Sequence, residues 1–155
     1  MKNSKIFKLF WIPIFIIGFV LIILGPRWML VDEPWLLDKV ANEETLGISF
    51  DKLFSNDINS TLPEYLRTIY RFFGLWVTFI GLLFLNQLLM FDLTKYKSRK
   101  MIHGVVGMLL VFSLYLGHTR IPSSPFIYLM WFFVVIYLLS FYASRRMNST
   151  QQIPH

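Results

Sequence analysis

The residues best able to do chemistry gather in one short stretch, "EYLRTIYRFFGLW", residues 64–76. Glu64, Arg67, Tyr70 and Arg71 stand there at the head of a long apolar run. Guanidinium groups grip phosphates and carboxylates through a planar fork of donors, so the chemistry on offer is anion binding. Further along, "LGHTRIP" adds His118 and Arg120. Glu64, Arg67, Tyr70, Arg71, His118 and Arg120 therefore form a candidate outer binding rim, with Asp32, Glu33 and Asp38 as candidate counter-charges. Three readings stand side by side. In one, the rim holds a lipid phosphate or a small carboxylate. In another, the arginines snorkel to headgroups or pair with Glu64 and the nearby acids. In the third, they contact a partner protein.

Other chemistries find less to work with. Cysteine is absent, which excludes thiol catalysis, disulfides and thiolate metal sites. His103 and His118 lie on one helical run, but the axial ligands that haem would need are missing, and no zinc set accompanies them. No nucleophile elbow is present, and no aspartate lies inside an apolar run to orient a histidine or serine. Asp92, beside a basic connection, is the nearest acid. No catalytic residue, metal or cofactor is expected. Asn86, Gln87 and His103 fall near the inner ends of their runs, where they are expected to meet and satisfy one another, with a proton relay as the alternative. "NST" at Asn59 and again at Asn148 reads as chance.

The elements that must position these residues are membrane spans. The chain is 55% hydrophobic and only 15% charged, against about 25% charged in a soluble domain. Its apolar residues fall in blocks long enough for the ~20 residues a bilayer core requires. The expectation is an all-α, four-helix transmembrane bundle forming a single integral membrane domain over residues 1–155. Its spans are placed at about 6–24, 72–91, 101–117 and 126–143. The first has a basic start but is too long, and lacks the small-residue site, for a cleaved signal peptide. Pro13 is a candidate bend within it. The net charge of +6 belongs to the flanks of apolar runs, which argues against nucleic acid as a partner.

Lysine and arginine set the orientation. Lys2, Lys5, Lys8, Lys95, Lys97, Arg99, Lys100, Arg145 and Arg146 all flank one side of a four-span model. Both termini are therefore expected in the cytoplasm. The long extracytoplasmic loop, 25–62, carries two amphipathic stretches, "VDEPWLLDKVA" and "ISFDKLF", which read as short interfacial helices. They form either an interfacial segment or a lid over a site between the helices.

Along the second span, Glu64, Arg67, Arg71, Gly74, Thr78 and Gly81 share one face at 100° per residue. Small residues let helices approach closely in lipid. Gly74, Thr78 and Gly81, with Gly104 and Gly107 on the third span, are thus expected at helix contacts. Arg71 to Phe91 makes about 30 Å of helix, which puts Arg71 at the hydrocarbon boundary and Arg67 a turn above it.

The run "EYLRTIYRFFGLWVTFIGLLFL" resembles the second helix of DoxX-like small bacterial membrane proteins of unknown function. The likeness rests on Arg67, Tyr70, Gly74 and Gly81, on Gly117 and Arg120 at the end of the third span, and on the four-span layout. It implies a fold and a bacterial inner membrane, and no reaction. Arg71 and the long loop with Trp28 and Trp35 depart from the pattern. The function expected is an accessory, lipid-binding or partner-binding bundle. The alternative is a small transporter or membrane enzyme with an anion site at the outer mouth. Candidate partners are the bilayer, an anionic lipid or small anion, a membrane partner protein, and a second copy.

Overall fold

A computed structural model describes the backbone of residues 2–151 and the side chains of residues 4–148. The described chain is helical. It runs through α1 (Lys2–Leu30), a 3-10 turn (Pro34–Asp38), α2 (Lys39–Leu46), α3 (Phe50–Phe54), a second 3-10 turn (Asp57–Asn59), α4 (Leu62–Met90), α5 (Tyr96–Arg120) and α6 (Phe126–Gln151). Four of these, α1, α4, α5 and α6, are long and apolar enough to cross a membrane. Their outer faces say the same. Phe72, Trp76, Phe79 and Leu83 on α4, Val111, Phe112 and Tyr115 on α5, and Tyr128, Phe132, Val135 and Leu139 on α6 are all exposed. Apolar surface this continuous suits a lipid solvent and not water.

The helices outrun the spans expected from hydropathy. The loop expected from residue 25 begins only after Leu30, because α1 continues through Gly25 and Pro26. Proline removes one donor, a loss that packed membrane helices tolerate. Here the packing is specific: the buried Trp28 ring lies 5.0 Å from Phe73 edge-on and 5.0 Å from Phe126. Helix α4 starts at Leu62, with Pro63 in its first turn, where a missing N–H costs nothing. Helix α6 extends past the expected residue 143 to Gln151.

Helix α4 packs on α1, α1 on α6, and α6 on α5, while α4 and α5 make no comparable contact. The α1–α4 seam is the tightest, and glycine makes it so. A Cβ at Gly74 would run into the Gly25 carbonyl oxygen and come within 2.8 Å of Met29 Cγ. Two turns further on, a Cβ at Gly81 would lie 2.6 Å from the Gly18 carbonyl oxygen. Thr78 lies between them and donates its hydroxyl to the Gly74 carbonyl at 2.8 Å. Gly107 faces the Tyr137 hydroxyl on α6. Gly104, grouped with these by sequence, is different: it is exposed, with no atom within 4 Å of where a Cβ would go, so it packs against nothing.

The dry core occupies the half of the bundle nearest the termini. Phe10, Ile14 and Ile17 of α1 meet Phe84 and Leu88 of α4, Ile102 and Val106 of α5, and Phe133 of α6 there. The half nearest the long connection is hollow.

Candidate functional site

The hollow is a cavity of about 620 Å³, within the ~300–1,000 Å³ usual for small-molecule sites. Every long helix contributes a wall. Ile17, Leu21 and Leu24 come from α1, Val77 and Ile80 from α4, Leu110 and Leu116 from α5, and Met130 and Phe133 from α6. Since α4 and α5 both line it without packing together, the seam between them is the weak wall. The lining is largely apolar, with Ser113 of α5 the polar residue deepest in it. The other polar groups, Asp38, Asn42, Tyr70, Arg120 and Ser124, lie at the end nearest the long connection.

Residues 31–61 form a roof over this end. The roof has its own small core. Trp35 is 2% exposed and lies 5.4 Å from Phe54 and 6.2 Å from Phe50. The α2 helix ends at Gly47, whose positive φ of 68° is a conformation that suits glycine. The chain then folds back, so that Glu43 Oε1 accepts from the Phe50 amide at 2.9 Å. Asn42 latches the roof to α4: its Nδ2 donates to the Trp35 carbonyl at 2.9 Å and to the Tyr70 hydroxyl oxygen at 3.1 Å. Arg67 adds a second tie, Nε to the Asp32 carbonyl at 2.8 Å. On the far side, Thr45 donates to the Arg120 carbonyl at 2.9 Å, and Ser123 donates to the Glu44 carboxylate.

The six candidate rim residues thus separate. Tyr70 and Arg120 line the cavity. Arg67 is turned to the roof, and its partner is a backbone carbonyl and not a loop carboxylate. Arg71 and Glu64 are exposed, line no described cavity and form no ion pair; the ion pairs among the described residues are Lys39–Glu43 and Lys95–Asp92. His118 leaves the rim for the face of α6, where its Nε2 accepts from the Trp131 indole at 3.3 Å.

Asp38 was visible in the sequence only as a counter-charge, and its partner there is absent. Its Oδ1 is closed off from water without a hydrogen-bond partner. Such an orphan acceptor costs a folded chain free energy until a donor meets it. Asn42 carried no sequence signal at all. Its role depends on a contact with Tyr70 far along the chain, and no local pattern reports that.

A second polar cluster lies at the opposite, terminal end. Arg99, read from sequence as a membrane-flanking cation, is fully buried. Its Nη1 donates to the Leu93 and Thr94 carbonyls at 2.8 and 2.6 Å, Nε to Ser144 Oγ at 3.3 Å, and Nη2 to Asn148. His103, one turn deeper, contacts the Arg99 carbonyl through Nδ1 at 2.8 Å and Ser140 Oγ through Nε2 at 3.2 Å. Ser140 in turn donates to the Phe10 carbonyl at 2.7 Å. The expected meeting of His103 with Asn86 and Gln87 does not occur. Asn86 is exposed, and Gln87 Oε1 is buried without a partner. The reason is the packing order: α5 lies against α6 and not against α4. The Arg99 bonds to Leu93, Thr94, Ser144 and Asn148 tie the α4–α5 turn to α6. No group of three or more histidine or acidic side chains is placed to hold a metal among the described residues.

The chain matches no family model, no curated protein and no solved structure.

Proposed function

We propose that this chain is an accessory, lipid-binding bundle of the bacterial inner membrane, which holds one acyl-chain lipid in the cavity beneath the roof. One observation carries the reading: a largely apolar hollow of about 620 Å³ among four apolar helices, with its charged groups only at its roofed end. A bilayer offers that space an occupant of matching chemistry at very high local concentration. The α4–α5 seam, which lacks the close packing of the α1–α4, α1–α6 and α5–α6 seams, is the natural sideways route in. The basic flanks beside the termini and the α4–α5 turn favour a cytoplasmic position for that end, with the roof on the outer side. Kinship with DoxX-like proteins belongs to this proposal and rests on Arg67, Tyr70, Gly74 and Gly81 of α4.

The rival reading is a transporter or membrane enzyme that grips an anion with Glu64, Arg67 and Arg71. It draws less support, because Arg67 is engaged with the roof backbone and Arg71 stands outside the cavity.

Native mass spectrometry of the gently extracted protein tests the proposal. Wild type is expected to carry one retained lipid. Ser113→Trp, which fills the cavity from α5, is expected to lose it. Equal retention by both, or a retained non-lipid metabolite, overturns the reading. Reporter fusions at Lys97 and at the C-terminus test the topology, and a report of outside from either contradicts it.

A further inference from the structure

We propose that the lipid held in this cavity is one with a phosphoethanolamine headgroup, recognised by Asp38 and Arg120 together. The inference rests on the lipid-binding reading above and adds the identity of the head.

The volume limits the tail. At roughly 30 Å³ for each water-sized group, the cavity holds on the order of twenty such groups, which is one acyl chain and part of a head. The polar end then selects the head by charge. Asp38 lines the cavity; its Oδ1 is enclosed by protein with no donor to meet it, so its charge is open to a ligand only through Oδ2. A desolvated carboxylate favours a cation that also carries N–H groups, since a charge-assisted hydrogen bond satisfies both needs. Arg120 lines the same cavity. Its backbone carbonyl is tied to Thr45, and its guanidinium makes no hydrogen bond or ion pair among the described residues. It suits a phosphate. Tyr70 adds a donor. Its oxygen accepts from Asn42, and its own proton has no acceptor among the described residues.

One carboxylate and one guanidinium at the mouth of an acyl-sized slot call for a zwitterion with an ammonium and a phosphate. Ethanolamine phospholipid provides both. Choline phospholipid carries the charge without N–H donors and gives the Asp38 carboxylate no hydrogen bond. Glycerol phospholipid brings no cation, and its net negative charge faces a carboxylate.

The full chain, in micelles with equal amounts of ethanolamine, choline and glycerol phospholipids of identical acyl chains, is read by native mass spectrometry. Wild type is expected to retain the ethanolamine lipid about tenfold over the choline lipid, the scale of one charge-assisted hydrogen bond. Retention should fall stepwise along the mono-, di- and trimethylated ethanolamine series, a test that requires no variant. Asp38→Asn is expected to bring the ethanolamine and choline lipids to parity. Arg120→Gln is expected to weaken retention of all phospholipids. Retention of lipid without preference, a preference for the glycerol lipid, or a preference that survives Asp38→Asn overturns this inference and leaves the lipid-binding reading standing. Retention of no lipid overturns both.

Discussion

Replacing Gly74 by alanine is the sharpest probe of how this bundle is held together. The new methyl group would run into the Gly25 carbonyl oxygen, 2.8 Å from Met29 Cγ and 3.1 Å from Trp28 Cβ. Comfortable carbon contacts begin near 3.5 Å. The Gly25 carbonyl is backbone inside a helix and cannot swing aside as a side-chain tip would. Relief therefore requires α1 and α4 to part by roughly an ångström. That separation also loosens the Gly18–Gly81 contact two turns away and the Trp28–Phe73 ring pair. Overpacking a core costs about 1–3 kcal/mol, and a clash with rigid backbone belongs at or above the top of that range. Gly104→Ala is the matched control. Its methyl group meets open space, so the change is expected to be neutral or to add up to about 1 kcal/mol through helix propensity. Reversible unfolding in mixed micelles, followed by circular dichroism, reads both. Gly25→Ala should resemble Gly74→Ala, and the double variant should cost less than the sum, because one separation relieves both clashes. If Gly74→Ala matches wild type within about 0.5 kcal/mol, the close-packed α1–α4 seam is wrong.

Three further outcomes are expected. Arg99→Met leaves the Leu93 and Thr94 carbonyls and the Ser144 and Asn148 side chains without their shared donor and should cost about 3 kcal/mol in the same unfolding assay; Arg99→Lys should recover little, since an ammonium cannot reproduce the fork. Asn42→Ala removes both latch bonds, so amide exchange across residues 31–61 should speed up several-fold, about what 1 kcal/mol or more of lost hydrogen bonding allows, with little change in α5 and α6. Hydrogen bonds from the Thr94 hydroxyl and amide hold the Asp92 carboxyl below its ordinary value. A carboxyl depressed in the folded state stabilises above the unfolded pKa, and that stability is lost as pH falls through the folded value. The melting temperature of Asp92→Asn should therefore fall less than that of wild type on acidification below about pH 4.

Local pattern carried much of this architecture. Apolar blocks revealed the four long helices, and the spacing of Gly74 and Gly81 marked the face of α4 that meets α1. Hydropathy underestimated helix lengths because it records where lipid begins and not where backbone hydrogen bonding ends. The loop was expected from residue 25, yet Trp28 packing between Phe73 and Phe126 carries α1 onward. The candidate site was half legible. Tyr70 and Arg120 line the cavity, whereas Arg71 stands outside it and Arg67 binds the roof. A helical wheel ranks residues by angle, and angle alone does not say which neighbour each will meet. The cavity itself left no local trace, because it arises from α4 and α5 failing to pack together. The same long-range origin hid Arg99: as one cation in a basic flank, it looks no different from Lys97 or Lys100.

The central claim is that an acyl chain occupies the space among the four helices, and Trp28 reports on it from within. Trp28 is 7% exposed and lines the cavity, whereas Trp76 is 62% exposed on the outer face of α4. Two single-tryptophan proteins, each keeping one of these residues, are reconstituted with phospholipid brominated along its acyl chain, a quencher that acts on contact. Both tryptophans are expected to be quenched in the otherwise native background. Adding Ser113→Phe, which blocks the cavity, should relieve quenching of Trp28 and leave that of Trp76 unchanged. A Trp28 that is never quenched, or one quenched equally with the cavity blocked, would contradict the account.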